Sequence, residues 1–234
     1  VSLSERDAHL AELMDDEACD PVRLRRTLAR FAIVNRVVSG WDRAYRARLR
    51  PVLATLGRPA RVLDIGCGSG DVLRRITRLA RVDGFAVDAT GIDPDPRALA
   101  VAMSTERMHG VSYRRAVSRD LVAEGARFDI VVSNHLLHHL DADGLDGVLA
   151  DSEALAERLC LHSDIARGRI AYTAYAIGVT PLAPGSFLRT DGLRSIRRSY
   201  TRPELAAALR PGWTVERPAA FRLLAVHRPA PAGA

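Results

Sequence analysis

Three short stretches hold residues whose types and spacing can do chemistry: VLDIGCGSGD at 62–71, HLLHH at 135–139 and LCLHSDI at 159–165. In the first, Gly66, Gly68 and Gly70 alternate directly after an apolar run that carries an acid. Glycines so placed allow a tight turn and close approach of backbone N–H groups to a ligand. Phosphate fits this loop badly. A dinucleotide fingerprint needs a small residue at position 71, where Asp71 stands, and a P-loop needs a lysine, which the chain lacks entirely. Asp64 would repel a pyrophosphate, so the spacing predicts a ligand carrying positive charge.

In HLLHH the histidines fall at i, i+3 and i+4 and can share one helical face. Three readings stay open: zinc ligation, capping and packing at a strand end, or acid–base chemistry. A zincin motif needs H-E-x-x-H, but Leu136 takes the glutamate's place and no cysteine or carboxylate pair is evident to complete a site, so no metal is expected. Acid–base work suits the carboxyl edge of a sheet, where ligands bind. Asp164 follows the next apolar run and should emerge along the same edge, as partner to His139 or His138. Its alternative use is a helix N-cap. A phenol of pKa about 10 is almost wholly protonated at neutral pH, and the missing phenolate costs roughly 4 kcal/mol unless a base removes the proton. Among oxygen nucleophiles a carboxylate needs no base and an aliphatic alcohol needs a stronger device, so a dyad favours phenolic oxygen.

The elements that must position these residues follow from apolar periodicity. Leu3 to Met14 and Val22 to Val38 predict two amphipathic helices, the second opened by Pro21. AYRARLRPVLATLG predicts a third. From RVLDIG onward, strand and helix patterns alternate through DVLRRITRLAR, AVDATGIDPD, PRALAVAMSTERMHG, VSYRRAV and FDIVVSN, as in a doubly wound parallel sheet. A helix at GLDGVLADSEALAERL and a strand at LCLHSDI follow, then a helical GRIAYTAYAIGV and an irregular LAPGSFLRTDGLRSIRR. Thr201 and Glu204 stand in capping-box spacing before another helix. WTVERPAAFRLLAVHRP reads as two strands around a turn, with a frayed tail beyond. Residues 1–50 are expected to form a helical lid and 51–234 the core domain, with 168–200 inserted as a substrate cover.

At 234 residues and 47% hydrophobic, the chain can bury one substantial core. Cys19, Cys67 and Cys160 lack CxxC spacing, which argues against a disulfide framework or zinc site and for a reducing cytoplasm. The longest nearly apolar stretch, 170–183, is too short and interrupted to span a bilayer. A net charge of +6 raises nucleic acid as a partner, but every basic residue is arginine, dispersed without interleaved aromatics, which favours a solvated surface. The pairs Arg25-Arg26 and Arg197-Arg198 leave an anionic substrate or peripheral membrane contact open.

VLDIGCGSGD, GIDPDP and FDIVVSNHLLHHL together resemble the class I S-adenosylmethionine-dependent methyltransferases, over roughly residues 50 to 228. The resemblance implies an α/β fold, a doubly wound, mostly parallel seven-stranded Rossmann-like sheet. It implies S-adenosylmethionine as cofactor and S-adenosylhomocysteine as product. Asp64, Gly66, Cys67, Gly68 and Gly70 would hold the amino-acid part, Asp93 and Pro94 the ribose, with Asn134 and His135 adjoining. The family often places an adenine-binding acid after strand three. Here Val117 occupies that position, so Asp120 or a backbone contact would substitute. Methyltransferases of small phenols and sugars resemble the L-H-H segment and the following aspartate. ARFAIVNRVVSGWDRAYRARLRP and GSFLRTDGLRSIRRSYTRPEL resemble small bacterial quinone O-methyltransferases and their relatives acting on resorcinol-like lipids. That likeness implies a small apolar aromatic acceptor under a cover containing Phe31, Ile33, Tyr172, Tyr175 and Phe187, its hydroxyls oriented by Arg189, Asp191 and Arg198, in a monomer or homodimer. The rival classes are a nicotinamide oxidoreductase, opposed by Asp64 and Asp71, a cofactor-binding module without catalysis, and an RNA methyltransferase. For the last, Asn134-His135-Leu136-Leu137 supplies neither a base-stacking N-P-P-Y segment nor a catalytic cysteine.

Overall fold

The run ARVLDI forms β1 (Ala60–Ile65), buried on both faces as a central strand of a parallel sheet must be. Side chains alternate across it, so Val62 packs into one apolar core while Leu63 and Ile65 pack into another. Asp64 shares the parity of Val62 and is carried to the first side. The structure, a computed structural model, describes residues 2–105 and 107–230; the expected frayed end at 231–234 lies outside them.

Strand and helix alternate after β1: α4 (Asp71–Val82), β2 (Val87–Asp93), α5 (Pro96–Ser104), β3 (Val111–Arg115), α6 (Ser118–Ala123), β4 (Phe128–Asn134), α7 (Ala142–Leu155) and β5 (Ala156–Ile165). Beyond them come α8 (Arg169–Gly178), α9 (Leu188–Arg198), α10 (Arg202–Ala208), β6 (Thr214–Glu216) and β7 (Arg222–His227). The sheet order is β3-β2-β1-β4-β5-β7-β6, parallel except where β7 runs antiparallel to β5 and β6. This is the doubly wound, mostly parallel seven-stranded sheet expected from the sequence. Its order reverses between β1 and β4, which opens a crevice beyond their carboxyl ends. The glycine loop and HLLHH both fall there.

Ahead of the sheet, Asp20 caps α1 (Pro21–Val38) by accepting from Val22 N and Arg23 N. A continuous helical stretch follows as α2 (Trp41–Ala44), a π-helical turn (Tyr45–Leu49) and α3 (Arg50–Leu53). Trp41, Tyr45 and Leu49 are buried in the first core against Leu73 and Ile76 of α4. Residues 41–50 therefore pack under the sheet, whereas α1 touches α4, α5 and α9 beside the crevice.

Three local expectations are corrected. Leu3 to Met14 is not a helix; only Leu13–Asp15 forms a 3-10 turn. Its backbone donors go elsewhere, Asp7 N to Arg197 O and Leu13 N and Met14 N to the Asp191 carboxylate, so tertiary pairing replaces helical pairing. The chain from Ala156 to Arg158, expected to continue a helix, begins β5. The segment read as irregular contains α9, which turns Leu188, Asp191, Gly192, Ser195 and Ile196 inward.

Gly192 is needed by close approach, since a Cβ there would lie 2.1 Å from the Tyr175 hydroxyl. That hydroxyl donates to Leu188 O at 2.7 Å and ties α8 to α9. Gly192→Ala is expected to lower stability by about 1–3 kcal/mol through overpacking, against a helix-propensity gain of at most about 1 kcal/mol. Urea unfolding measures the difference; an unchanged midpoint would mean that Tyr175 swings away freely.

Candidate active site

The glycine loop leaves β1 with Gly66, Gly68 and Gly70 all at positive φ. A Cβ on Gly68 would meet nothing within 4 Å, so its backbone faces open space. This space is a cleft of about 330 Å³. Asp64, Gly66, Cys67, Gly68, Asp93, Pro94, Asn134, His135, His138 and His139 all line it. Gly70 lies outside, packed against Tyr113. Asp93 Oδ2 accepts from Gly68 N and Oδ1 from Asp95 N, each at 2.9 Å, which fixes the carboxylate at the lip of the loop.

Asp64 is 1% exposed, and neither carboxylate oxygen has a hydrogen-bond partner. Burial first, then Asp71 and Asp93, push its carboxyl well above the usual range. An unpaired buried carboxylate is costly, and an ammonium group in the cleft removes that cost. The amino-acid end of S-adenosylmethionine brings such a group, so these residues fit it. Met14, Leu28 and Ala98 give the cleft an apolar side near Asp93, and Asn35 of α1 donates to Asp71 Oδ2 at 3.1 Å across its mouth.

The HLLHH segment turns sharply. His135 has φ 60, a left-handed conformation uncommon outside glycine. Arg222 of β7 holds the turn, its NH1 2.9 Å from His135 Nε2 and its NH2 donating to Asn134 Oδ1 at 2.7 Å and Ser163 Oγ at 2.8 Å. Trp41 Nε1 donates to the same Asn134 oxygen. Leu137–His139 then form a 3-10 turn.

Asp164 pairs with His138 rather than His139. Its Oδ2 accepts from His138 N at 2.8 Å and its Oδ1 lies 2.7 Å from His138 Nδ1, which therefore carries the proton. The far ring nitrogen, Nε2, faces Glu12 Oε1 at 3.4 Å without hydrogen-bond geometry. Burial alone would lower the His138 pKa, but Asp164 and Glu12 outweigh it and raise it to about 9. His139 stands beside it, with ring centroids 4.3 Å apart, Nε2 3.7 Å from Glu12 Oε1 and Nδ1 3.5 Å from Asp15 Oδ2. Glu12 is 3% exposed and accepts from Ser195 Oγ at 2.7 Å.

A second chamber of about 360 Å³ opens beside the cleft. Phe31, Ile33, Val34 and Val38 of α1, Ala171, Ala174 and Tyr175 of α8, Ile196 of α9 and Phe221 give it an apolar lining. Phe31, Asn35, His135 and Ser195 border both spaces. Tyr172 and Phe187 do not line the chamber; Phe187 packs with Leu24, Leu28 and Ala98.

The remaining expected residues lie away from both spaces. Asp120 is exposed and caps α6 by accepting from Val117 N. Arg189 is exposed. Asp191 pins the Leu13–Asp15 turn, and Arg198 donates to His139 O and Asp15 Oδ2 from behind the histidines. Asp191 and Arg198 thus brace the Leu13–Asp15 turn and the histidine segment and line neither space. Glu12, Asp15, Asn35 and Arg222 were not singled out by sequence reasoning. Only Arg222 left a trace, as a charge opening the apolar run RLLAV.

The sheet order, the acid on β1, the glycine loop and the acid ending β2 define a class I S-adenosylmethionine-dependent methyltransferase domain, and the chain carries one. Residues 62–157 match the family described as a methyltransferase domain. The ubiquinone biosynthesis O-methyltransferase of Cereibacter sphaeroides is 36% identical over 97 residues, covering 41% of this chain and 36% of that one. The ribosomal protein L11 methyltransferase of Geobacter sulfurreducens is 37% identical over 131 residues, covering 56% and 41%. The chain thus spans about two fifths of the length of these relatives. Among solved structures, the plantazolicin methyltransferase BpumL, in complex with a triazolic desmethylPZN analog and SAH, superposes with TM-score 0.61 at 12% identity, covering 89% of this chain and 96% of that one. At that identity the likeness concerns the fold. No described helix is long and apolar enough to cross a membrane.

Proposed function

We propose that the protein methylates the hydroxyl oxygen of an apolar aromatic acceptor of phenol or quinol type. The observation that carries this reading is the apolar chamber bordering the cofactor cleft, with His138 and His139 lining the cleft and His135 bordering both spaces. Bound in the cleft, S-adenosylmethionine supplies an electrophilic methyl group on a sulfonium. Asp64 would pair with its ammonium, the Gly66–Gly68 backbone would meet its carboxylate end, Asp93 would take the ribose hydroxyls, and Met14, Leu28 and Ala98 would flank the adenine.

The acceptor ring lies among Phe31, Ile33, Tyr175 and Phe221, its hydroxyl directed toward His135 and Ser195. His138, held charged by Asp164 and Glu12, stabilises the phenolate that develops there. His139, 28% exposed at its side chain, receives the proton and passes it to solvent. Residues 168–200 and α1 form the cover that excludes water from the junction.

The test is transfer of labelled methyl from S-adenosylmethionine to separate pools of alkylated phenols, short phenols, total RNA and ribosomal protein. Phenols are expected to take the label, and a longer alkyl tail to raise kcat/KM by about fourfold for each methylene that enters the chamber. Label in RNA or in ribosomal protein with none in phenols would overturn the reading.

A further inference from the structure

The histidine pair is built as more than a base. His138 and His139 point Nε2 at one carboxylate oxygen, Glu12 Oε1, from 3.4 and 3.7 Å, and each backs its Nδ1 with a carboxylate, Asp164 at 2.7 Å and Asp15 at 3.5 Å. Ligand atoms about 3.3 Å apart are what a tetrahedral ion with bonds near 2.0–2.1 Å requires along its edges. A ring nitrogen bound to metal with its other N–H on a carboxylate is the usual outer-sphere arrangement for histidine ligands. The His138 Nε2 atom is fully buried and has no hydrogen-bond partner, so the site already contains an unsatisfied donor atom aimed at the others.

We infer that Glu12, His138 and His139 form a binding site for a first-row divalent transition ion such as zinc. Two imidazoles with one carboxylate suit zinc and its neighbours better than magnesium or calcium, which prefer all-oxygen sites. All three residues line the cofactor cleft, so the ion keeps an open side toward the acceptor. An ion there would replace the proton of the His138–Glu12 pair as the positive charge and would occupy His139 Nε2, so proton uptake by His139 belongs to the metal-free chain; this inference rests on the proposed function only for the ion's role. The other grouping of nearby donors, His135, His138 and Asp164, is less suited, because Arg222 sets a guanidinium against His135 Nε2.

The experiment uses the whole chain stripped with a chelator and dialysed. Cobalt(II) is titrated in and its visible d–d absorption recorded, and zinc and magnesium are titrated by calorimetry. One cobalt per chain with a four-coordinate spectrum is expected, displaced by zinc and unaffected by excess magnesium. Glu12→Gln and His139→Asn should each weaken zinc by about a hundredfold, and Asp164→Asn by about 10–100-fold through His138 alone. Far-ultraviolet circular dichroism establishes that each variant is folded. His139 is partly exposed, so its variant tests the site even where a buried change unfolds the chain. Absence of saturable one-to-one binding, or binding unchanged in both Glu12→Gln and His139→Asn, would overturn the inference. Phenol methylation that persists undiminished in excess chelator removes the ion's role and leaves the proposed function standing. Zinc binding without phenol methylation does the reverse.

Discussion

Asp64→Asn is expected to weaken S-adenosylhomocysteine binding by about two to four orders of magnitude while making the unliganded protein more stable. Both effects have one cause. The carboxylate is buried without partners, so the free protein bears its desolvation and the bound cofactor relieves it. Loss of a buried charge partner costs about 3–5 kcal/mol of binding, and removal of an unsatisfied buried charge returns about 1–3 kcal/mol or more to the free fold. Protonation must follow the same logic. The folded-state pKa of Asp64 is raised by burial and by Asp71 and Asp93, so between its unfolded and folded values the native chain binds more protons than the unfolded one. This group's destabilisation is therefore absent below the unfolded pKa and grows as pH rises through the window. Pairing with an ammonium lowers the pKa again, so cofactor binding releases a proton and weakens as pH falls. Calorimetry in two buffers of different ionisation enthalpy, with thermal unfolding of the free protein, measures both effects. An asparagine variant that binds as tightly as the native chain would remove Asp64 from the cofactor site.

Asp164→Asn and His138→Ala are expected to lower methyl transfer by about 10²–10⁴-fold while leaving S-adenosylhomocysteine affinity within about threefold. Asp164 accepts three hydrogen bonds, from His138 N, from the His138 ring and from Ile165 N. An amide offers one acceptor oxygen, so the imidazole loses its charged partner or the turn loses a backbone bond. Either outcome frees the ring to rotate away from Glu12. The loss belongs in kcat, since neither Asp164 nor the His138 ring lines the apolar chamber. Separate determination of kcat, acceptor KM and cofactor affinity decides it. A variant whose loss sits wholly in acceptor KM would make the pair a scaffold for the chamber wall and not part of the reaction machinery.

The cleft around the glycine loop was legible because its parts are contiguous. A strand, three glycines and a helix follow one another within VLDIGCGSGD, and Asp93 ends the next strand, so local pattern carries their geometry. The seven-stranded sheet was legible for a similar reason: apolar runs of strand length separated by helical ones leave few topologies once connections must be right-handed. The last helix was marked by Thr201 and Glu204, whose capping box is present.

The surroundings of the histidines and the apolar chamber were decided by tertiary contact. Glu12 reaches the histidines because Asp191 takes the N–H groups of Leu13 and Met14 and Ser195 donates to Glu12 itself, none of which a pattern of spacing announces. The same contacts dissolve the helix that Leu3 to Met14 predicts. α9 was hidden by its glycine, a residue that weakens helices in isolation but here admits Tyr175. The choice of His138 over His139 as partner of Asp164 turns on the left-handed backbone at His135 and the arginine from β7 that braces it. Sequence by itself determined the sheet, the glycine loop and the placing of Asp64 and Asp93 at strand ends, because those features lie between near neighbours and repeat with the period of their element. Only the folded chain decided which carboxylates meet the histidines and where the apolar chamber opens. Those pairings join segments remote in sequence, and their energy comes from burial that exists only after the sheet has brought them together.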